Sequence, residues 1–247
     1  MNIFHIKMFS DNIDSKTKCH ISDYVKSMYA SLTPIDFQYN IVVTGPVSAG
    51  KTTILNALYN LFKLSNQEIQ TFPEFISTPL GIELLKKNLR NEISALTLQS
   101  YVLDFSDKNP NFKNINLFER CLEDTVYVFC KYQLETGKLT DLEYKVLEEK
   151  MKQINKKWNL PSWSEKYEFS FIHVDKSVDE ILCEIFKSIS SDINLKIKTR
   201  IIYLDLEPSK LLERIKMRGR DGESNYDINY VKTICKKYDA ILPDWWD

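Results

Sequence analysis

Apolar positions along the chain fall into two alternating patterns. Short β-branched or aromatic runs between turn residues occur at YNIVVTG (39–45), EIQTFPEF (68–75), KNINLFERC (113–121), YEFSFIHVD (167–175) and TRIIYLDLE (199–207). Each has the length and continuity of a strand buried on both faces of a parallel sheet. Between them, apolar residues recur at helical spacing. In TTILNALYNLF (52–62) they are Ile54, Leu55, Leu58, Leu61 and Phe62. Further helices are predicted over 81–105, as one helix or two joined near Asn91, and over 122–134, 142–154, 177–189, 208–220 and 228–239. Strands and helices in this alternation predict an α/β fold: a central parallel sheet of about five strands with helices on both faces, joined by right-handed crossovers. Residues 1–36 are polar and mixed, with a weak helical patch from Tyr24 to Leu32 ahead of Pro34, and read as an N-terminal extension to a domain over 37–247.

The join between the first strand and its helix carries chemistry. Gly45, Pro46, Val47, Ser48, Ala49, Gly50, Lys51 and Thr52 match G-x-x-x-x-G-K-[ST] in full, with Thr53 next. Several backbone N–H groups can converge on one phosphate only where the chain curls tightly, and glycine at both ends permits that curl. The helix that follows turns its N-terminal N–H groups toward the same anion. Lys51 would reach the β- and γ-phosphates of ATP, and the Thr52 hydroxyl would hold Mg²⁺. A strand before the motif and a helix after it supply the required context, so the arrangement predicts a P-loop kinase fold.

Ligands of open parallel sheets bind outside the carboxyl ends of the strands. Glu74 closes the second strand run and Glu119-Arg120 the third, so both fall on the edge that carries Gly45. A lone glutamate after a strand is usually a solvated loop residue; three strand ends that deliver a phosphate cradle, two carboxylates and a guanidinium form a more specific pattern. In ERIKMRGR, Arg214 and Arg218 lie four apart on one helical face, and Arg220 follows Gly219. Such a cluster can neutralise a phosphoryl group in transit, as a lid over about 214–225, or simply complement a helix end.

Composition narrows the classes. Lys plus Arg number 33 against 34 Asp plus Glu, a net charge of −1 that provides no global field for a nucleic acid. No apolar run is long enough for a bilayer span, and the first residues do not form a signal peptide. The five cysteines are scattered without a CxxC pair, as expected of free thiols in a reducing, cytoplasmic compartment. The three histidines lack metal-ligand spacing.

With these pieces placed, the chain resembles the deoxynucleoside kinase family, which includes deoxycytidine, deoxyguanosine and mitochondrial-type thymidine kinases. The P-loop, LTLQSYVLDF, LFERCLEDTVYVF running into ETGKLTDLEYKVLEEK, and LERIKMRGRDGE carry the resemblance, over about 39–242. It implies that Glu74 takes the proton from a nucleoside 5′-hydroxyl, that Arg120 pairs with it and holds the 5′-oxygen, and that Glu119 helps hold Mg²⁺. It implies Gln99 on the nucleobase edge, Phe129 stacked on the base, Arg214, Arg218 and Arg220 in the lid, and Glu223 on the 3′-hydroxyl. A homodimer is implied as well. The chemistry fits, because a carboxamide offers one donor and one acceptor to a base edge, and a hydroxyl nucleophile is helped by a carboxylate within reach.

The chain also departs from the family. Asn88 stands where a sugar-binding tyrosine is expected, which leaves strictness for deoxyribose open. Ser106 and Thr125 replace an arginine and an aspartate near the base, and Val102 leaves room for a 5-methyl group; together these favour thymidine or pyrimidine deoxynucleosides. The run 169–189 resembles the family's closing strand and helix set earlier in the chain, with Asp175, Lys176 and Ser177 beside the adenine; a plain insertion is the alternative. Rival functions are a nucleoside monophosphate kinase of the thymidylate kinase type, for which TFPEFISTPLG lacks the extra basic residues, and a kinase-like scaffold without turnover.

Overall fold

The computed structural model describes Asp23, Ser27 and residues 35–108, 110–161, 168–195, 198–221 and 223–241, except the side chains of 194, 195 and 224. The helical patch expected from Tyr24 to Leu32 lies outside the described residues. The sheet has five strands, β1 (Tyr39–Thr44), β2 (Ile69–Phe72), β3 (Ile115–Glu119), β4 (Glu168–His173) and β5 (Thr199–Asp205). They lie in the order β2-β3-β1-β5-β4, and every pairing is parallel. The helices are α1 (Lys51–Leu64), α2 (Pro79–Leu89), α3 (Ala95–Ser106), α4 (Lys131–Glu135), α5 (Asp141–Trp158), α6 (Val178–Leu195), α7 (Pro208–Arg218) and α8 (Ile228–Asp239). This is the three-layer α/β architecture expected from the alternation.

β1 is buried along its whole length, as its unbroken apolar run requires. Ile41, Val43, Leu117, Ile202 and Leu204 of the sheet pack with Leu58 and Phe62 of α1 and Ile185 of α6 in the main core. A second core beneath α3 and α5 gathers Leu103, Val126, Leu147 and Met151. Sheet and α6 are also tied by a buried ion pair, Arg200 Nη2 to Asp192 Oδ1 at 2.5 Å, with the Tyr39 hydroxyl donating to Asp192 Oδ2. Leu142 and Val146, one turn apart on α5, are exposed apolar residues.

Local differences from the expected elements have physical causes. The long helical run at 81–105 is two helices: α2 ends at Arg90, Asn91 takes a left-handed φ of 59°, and Ser94 caps α3 through its side chain. The helix expected over 122–134 is α-helical only in α4; Asp124–Cys130 is wound as a π-helix, a geometry that apolar spacing cannot distinguish from α. β2 stops at Phe72, two residues before Glu74, because Pro73 has no N–H for the ladder. β4 forms the outer edge beside β5, and α6 packs on the main core.

Candidate active site

The carboxyl ends of β1, β2 and β3 open into a cleft of about 1700 Å³, larger than the usual pocket for one small ligand. The loop from Gly45 to Gly50 forms its floor. Gly45 has φ 133° and lies so close to β5 that a Cβ would sit 2.5 Å from the Leu204 carbonyl oxygen, so glycine is required there. Gly50 adopts φ 99° at the start of α1. The cleft lining begins at Val47 and runs through Ser48, Ala49, Gly50, Lys51, Thr52 and Thr53.

Lys51 is only 5 % exposed, and its Nζ donates to the Pro46 carbonyl at 2.9 Å. Burial and the nearby Arg120 cation bring its pKa down to about 8, against the pull of Glu74 and Glu119. The Ser48 hydroxyl is buried in the loop without a hydrogen-bond partner among the described residues. A buried ammonium resting on a carbonyl and an orphaned hydroxyl in one curl form a site that an anion would complete.

Beside the loop, Thr52 Oγ1 donates to Glu119 Oε1 at 2.6 Å. Burial and the charge of Glu74 raise the Glu119 pKa, while Thr52 and Lys51 oppose the shift. A hydroxyl and a carboxylate, both hard oxygen donors, suit Mg²⁺ held between protein and phosphates, and a cation there would relieve the strained ionisation of Glu119. Among the described residues no cluster of His, Cys, Asp and Glu could hold a metal by protein ligands alone.

Glu74 and Arg120 meet across the cleft floor. Arg120 Nε donates to the Glu74 carboxylate, and Nη1 donates to the Gly45 carbonyl at 2.7 Å and to the Tyr238 hydroxyl. The guanidinium also lies over the Phe129 ring, 4.9 Å from its centroid. Arg120 takes a φ of 74°, while its N–H bonds to Val43 O at 3.1 Å. For a non-glycine residue this backbone costs about 1–3 kcal/mol and persists where the surroundings impose it. Burial pushes the Glu74 carboxyl up, yet Arg120 and Lys51 outweigh it and the net shift is down, so the group is held as carboxylate.

Behind Arg120 stands a layer absent from the sequence reading. Tyr238 of α8 is fully buried and hydrogen-bonds to Thr44, which donates to Asp124 Oδ2 at 2.7 Å. Asp124 is 0 % exposed, its Oδ1 has no partner among the described residues, and burial raises its pKa against Arg120. Thr44 closes β1, and Asp124 and Tyr238 occupy buried helical positions, to none of which the sequence alone gives a role.

The other half of the cleft has mostly apolar walls. Val102, Phe105 and Ser106 of α3 face Thr125 and Phe129 of the π-helix, whose four-residue separation puts both on the cleft. Gln99, 5 % exposed, donates through Nε2 to Gln133 Oε1 at 3.1 Å. Asn88 lines the same space, but its side chain donates to the Ile93 carbonyl at 3.3 Å and closes the α2–α3 turn.

The three lid arginines divide. Arg218 Nη2 and Arg220 Nη1 donate to the two oxygens of Glu223 at 2.5 and 3.3 Å, and Glu223 is 3 % exposed. Arg214 donates instead to the Val174 carbonyl at 3.0 Å, next to Asp175, Lys176 and Ser177 on the cleft rim. Shared spacing on α7 therefore does not put all three on one anion; Gly219, with φ 59°, turns the chain so that Arg220 joins Arg218 on Glu223. The loop beyond is pinned to α2 by Asp221, 2.9 Å from Arg90 and 3.5 Å from Lys86.

A parallel sheet with a glycine-lysine loop at its central strand, a carboxylate-guanidinium pair beside it and an arginine cluster at the end of α7 defines a P-loop fold of the kinase class. The chain belongs to the deoxynucleoside kinase family, whose profile matches it over 41–164 and 163–245, two stretches that meet just before β4. It is 25% identical over 215 residues to "Thymidine kinase 2, mitochondrial" of Homo sapiens, a match that covers 82% of this chain and 63% of that protein. It is 24% identical over 208 residues to "Deoxyadenosine kinase" of Dictyostelium discoideum (83% and 67%), and 24% over 128 residues to "Deoxycytidine kinase 2" of Gallus gallus (52% and 36%). The chain thus spans about 63% of the length of the human relative. No described helix is long and apolar enough to cross a membrane.

Proposed function

We propose that this protein transfers the terminal phosphate of ATP, with Mg²⁺, to the 5′-hydroxyl of a deoxynucleoside, pyrimidine deoxynucleosides and thymidine in particular being favoured. The observation that carries the reading is the Glu74–Arg120 pair, set on the strand edge that bears Lys51 and joined through Arg120 to the Gly45 carbonyl. Membership of the family, and relatives named for thymidine and deoxyadenosine, support a deoxynucleoside acceptor.

In this reading the acceptor hydroxyl enters between Glu74 and Arg120. Glu74, kept ionised, accepts its proton as the oxygen attacks, and Arg120 steadies the oxygen. Lys51 and the loop amides hold the donor phosphates, Arg218 and Arg220 approach from the lid, and Arg214 serves the nucleotide side near Asp175. Thr52 and Glu119 would hold Mg²⁺, which supplies charge neutralisation on the phosphates when bound. Glu223, now shared by two arginines, becomes available to a sugar hydroxyl once phosphate takes those guanidiniums. Gln99 reads the base edge, and Phe129 stacks on the base. Most of the rate then comes from positioning and charge, as expected for phosphoryl transfer.

The preference for thymidine rests on Val102 and on Ser106 and Thr125, which put no charge at the base. A monophosphate acceptor is disfavoured because Arg120 is already engaged by Glu74, Gly45 and Tyr238, and TFPEFISTPLG adds no further cation. The test is product analysis with ATP and Mg²⁺ against the four deoxynucleosides and their monophosphates. Thymidine monophosphate from thymidine is expected; diphosphate formed only from a monophosphate would replace this reading with a nucleotide kinase. We further propose a homodimer in a cytoplasmic compartment, which sedimentation and localisation of a tagged chain would check.

A further inference from the structure

The base end holds a second carboxamide that the sequence reading passed over. Gln133 of α4 lines the cleft with Thr125 and Phe129, and its Oε1 accepts from the buried Gln99 Nε2 at 3.1 Å. Among the described residues Gln133 Nε2 has no partner of its own. The geometry points to Gln133 as a specificity-determining residue: it sets which way round the Gln99 carboxamide faces the base. The inference rests on the kinase reading above, and it concerns the class of base that the site accepts.

The physical reason is the asymmetry of the amide. A 4-oxo pyrimidine such as thymine presents an N3–H donor beside an O4 acceptor. A 4-amino pyrimidine such as cytosine presents an N3 acceptor beside an N4–H donor, and adenine shows the same acceptor-donor pair at N1 and N6. One glutamine can serve both classes only by turning its carboxamide over, which exchanges oxygen and nitrogen. In a buried socket that turn would strand whatever the far side of the amide was bonded to, at a cost comparable to a lost buried hydrogen bond. Gln133 removes the obstacle because it too is a carboxamide. When Gln99 turns, Gln133 turns with it, and the bond between them re-forms with donor and acceptor exchanged. The pair therefore has two senses with the same number of hydrogen bonds, each matched to one class of base, whichever sense is occupied in the free protein.

A side chain at 133 that can only accept, or only donate, would hold the pair in one sense. The experiment compares kcat/KM for thymidine and deoxycytidine, with ATP and Mg²⁺, in wild type, Gln133→Glu, Gln133→Lys and Gln133→Met. The thymidine-to-deoxycytidine ratio is expected to move by about tenfold or more in opposite directions for Glu and Lys. Met should lower both values with a ratio near that of wild type, and KM for ATP should change less than about twofold throughout. Shifts in the same direction, or ratios for Glu and Lys indistinguishable from wild type, would overturn the assignment. If one charged variant fails to fold, the other must still differ from Met by about tenfold. A wild type that phosphorylates neither nucleoside would count against the kinase reading itself; dissociation constants of the two nucleosides across the same variants would then decide the role of Gln133.

Discussion

The two ends of the cleft are built on opposite principles. At the phosphate end charged groups are crowded and cross-linked: Lys51, Glu74, Glu119 and Arg120 lie within one another's fields, and Arg120 alone joins Glu74, Gly45, Tyr238 and Phe129. At the end proposed to take the base, Val102, Phe105 and Phe129 form apolar walls, and one hydrogen bond joins Gln99 Nε2 to Gln133 Oε1. The first end holds poorly solvated charge whose cost an anion and a cation would relieve; the second carries no such charge. Substitutions at the phosphate end should therefore change catalysis steeply, and those at the base end should change choice of substrate at modest cost in rate.

The largest effect is expected at Lys51. Lys51→Met should abolish ATP binding measured by calorimetry and lower turnover at least about 10³-fold. It should also raise the thermal stability of the ligand-free protein, because a cation whose pKa is depressed by burial is removed. Were the variant less stable than wild type, the picture of stored charge at this end would be wrong.

Glu74→Gln comes next, with a kcat loss of about 10²–10⁴-fold. Tyr238→Phe should follow at about tenfold in kcat with KM for ATP little changed, since Arg120 keeps Glu74 and the Gly45 carbonyl but loses one acceptor. Active-site titration beside the steady-state kinetics separates that pattern from a general loss of folded protein, which would also lower apparent kcat without moving KM.

Proton linkage sharpens the comparison. The Lys51 pKa lies near 8 in the folded, ligand-free protein and below its unfolded value of 10.5. Between those values the unfolded chain carries more protons, so this group makes stability rise with pH across that window. Bound phosphate favours the ammonium, so ATP binding above about pH 8 should take up a proton and weaken as pH rises. Calorimetry in buffers of different ionisation enthalpy measures that uptake; none at pH 8.5 would contradict the assignment. The smallest effect is expected at the lid latch. Asp221→Ala removes exposed ion pairs to Arg90 and Lys86, each worth less than about 1 kcal/mol, and should raise substrate KM a few-fold at most and less at high salt.

Legibility in the sequence follows the same division. The phosphate loop is eight consecutive residues whose function depends on local backbone, and Glu74, Glu119 and Arg120 sit at strand ends, which a parallel sheet brings to one edge. Sequence therefore placed them together. Gln133 and Tyr238 meet Gln99 and Arg120 only through packing between distant elements, and Asp124 meets Thr44 in the same way; within their own helices they read as a surface amide, a core aromatic and a solvated acid. The π winding of Asp124–Cys130 and the division of Arg214 from Arg218 were hidden for a related reason, because helical periodicity reports which face is buried but not the pitch or what lies opposite.

The central claim is that Glu74 acts in transfer and not in holding ATP. The direct measurement pairs calorimetric binding of Mg-ATP with transfer of γ-labelled phosphate to thymidine, in wild type and Glu74→Gln. Unchanged nucleotide affinity with labelled thymidine monophosphate reduced at least about a hundredfold is the predicted result. Equal transfer by the two proteins would contradict it.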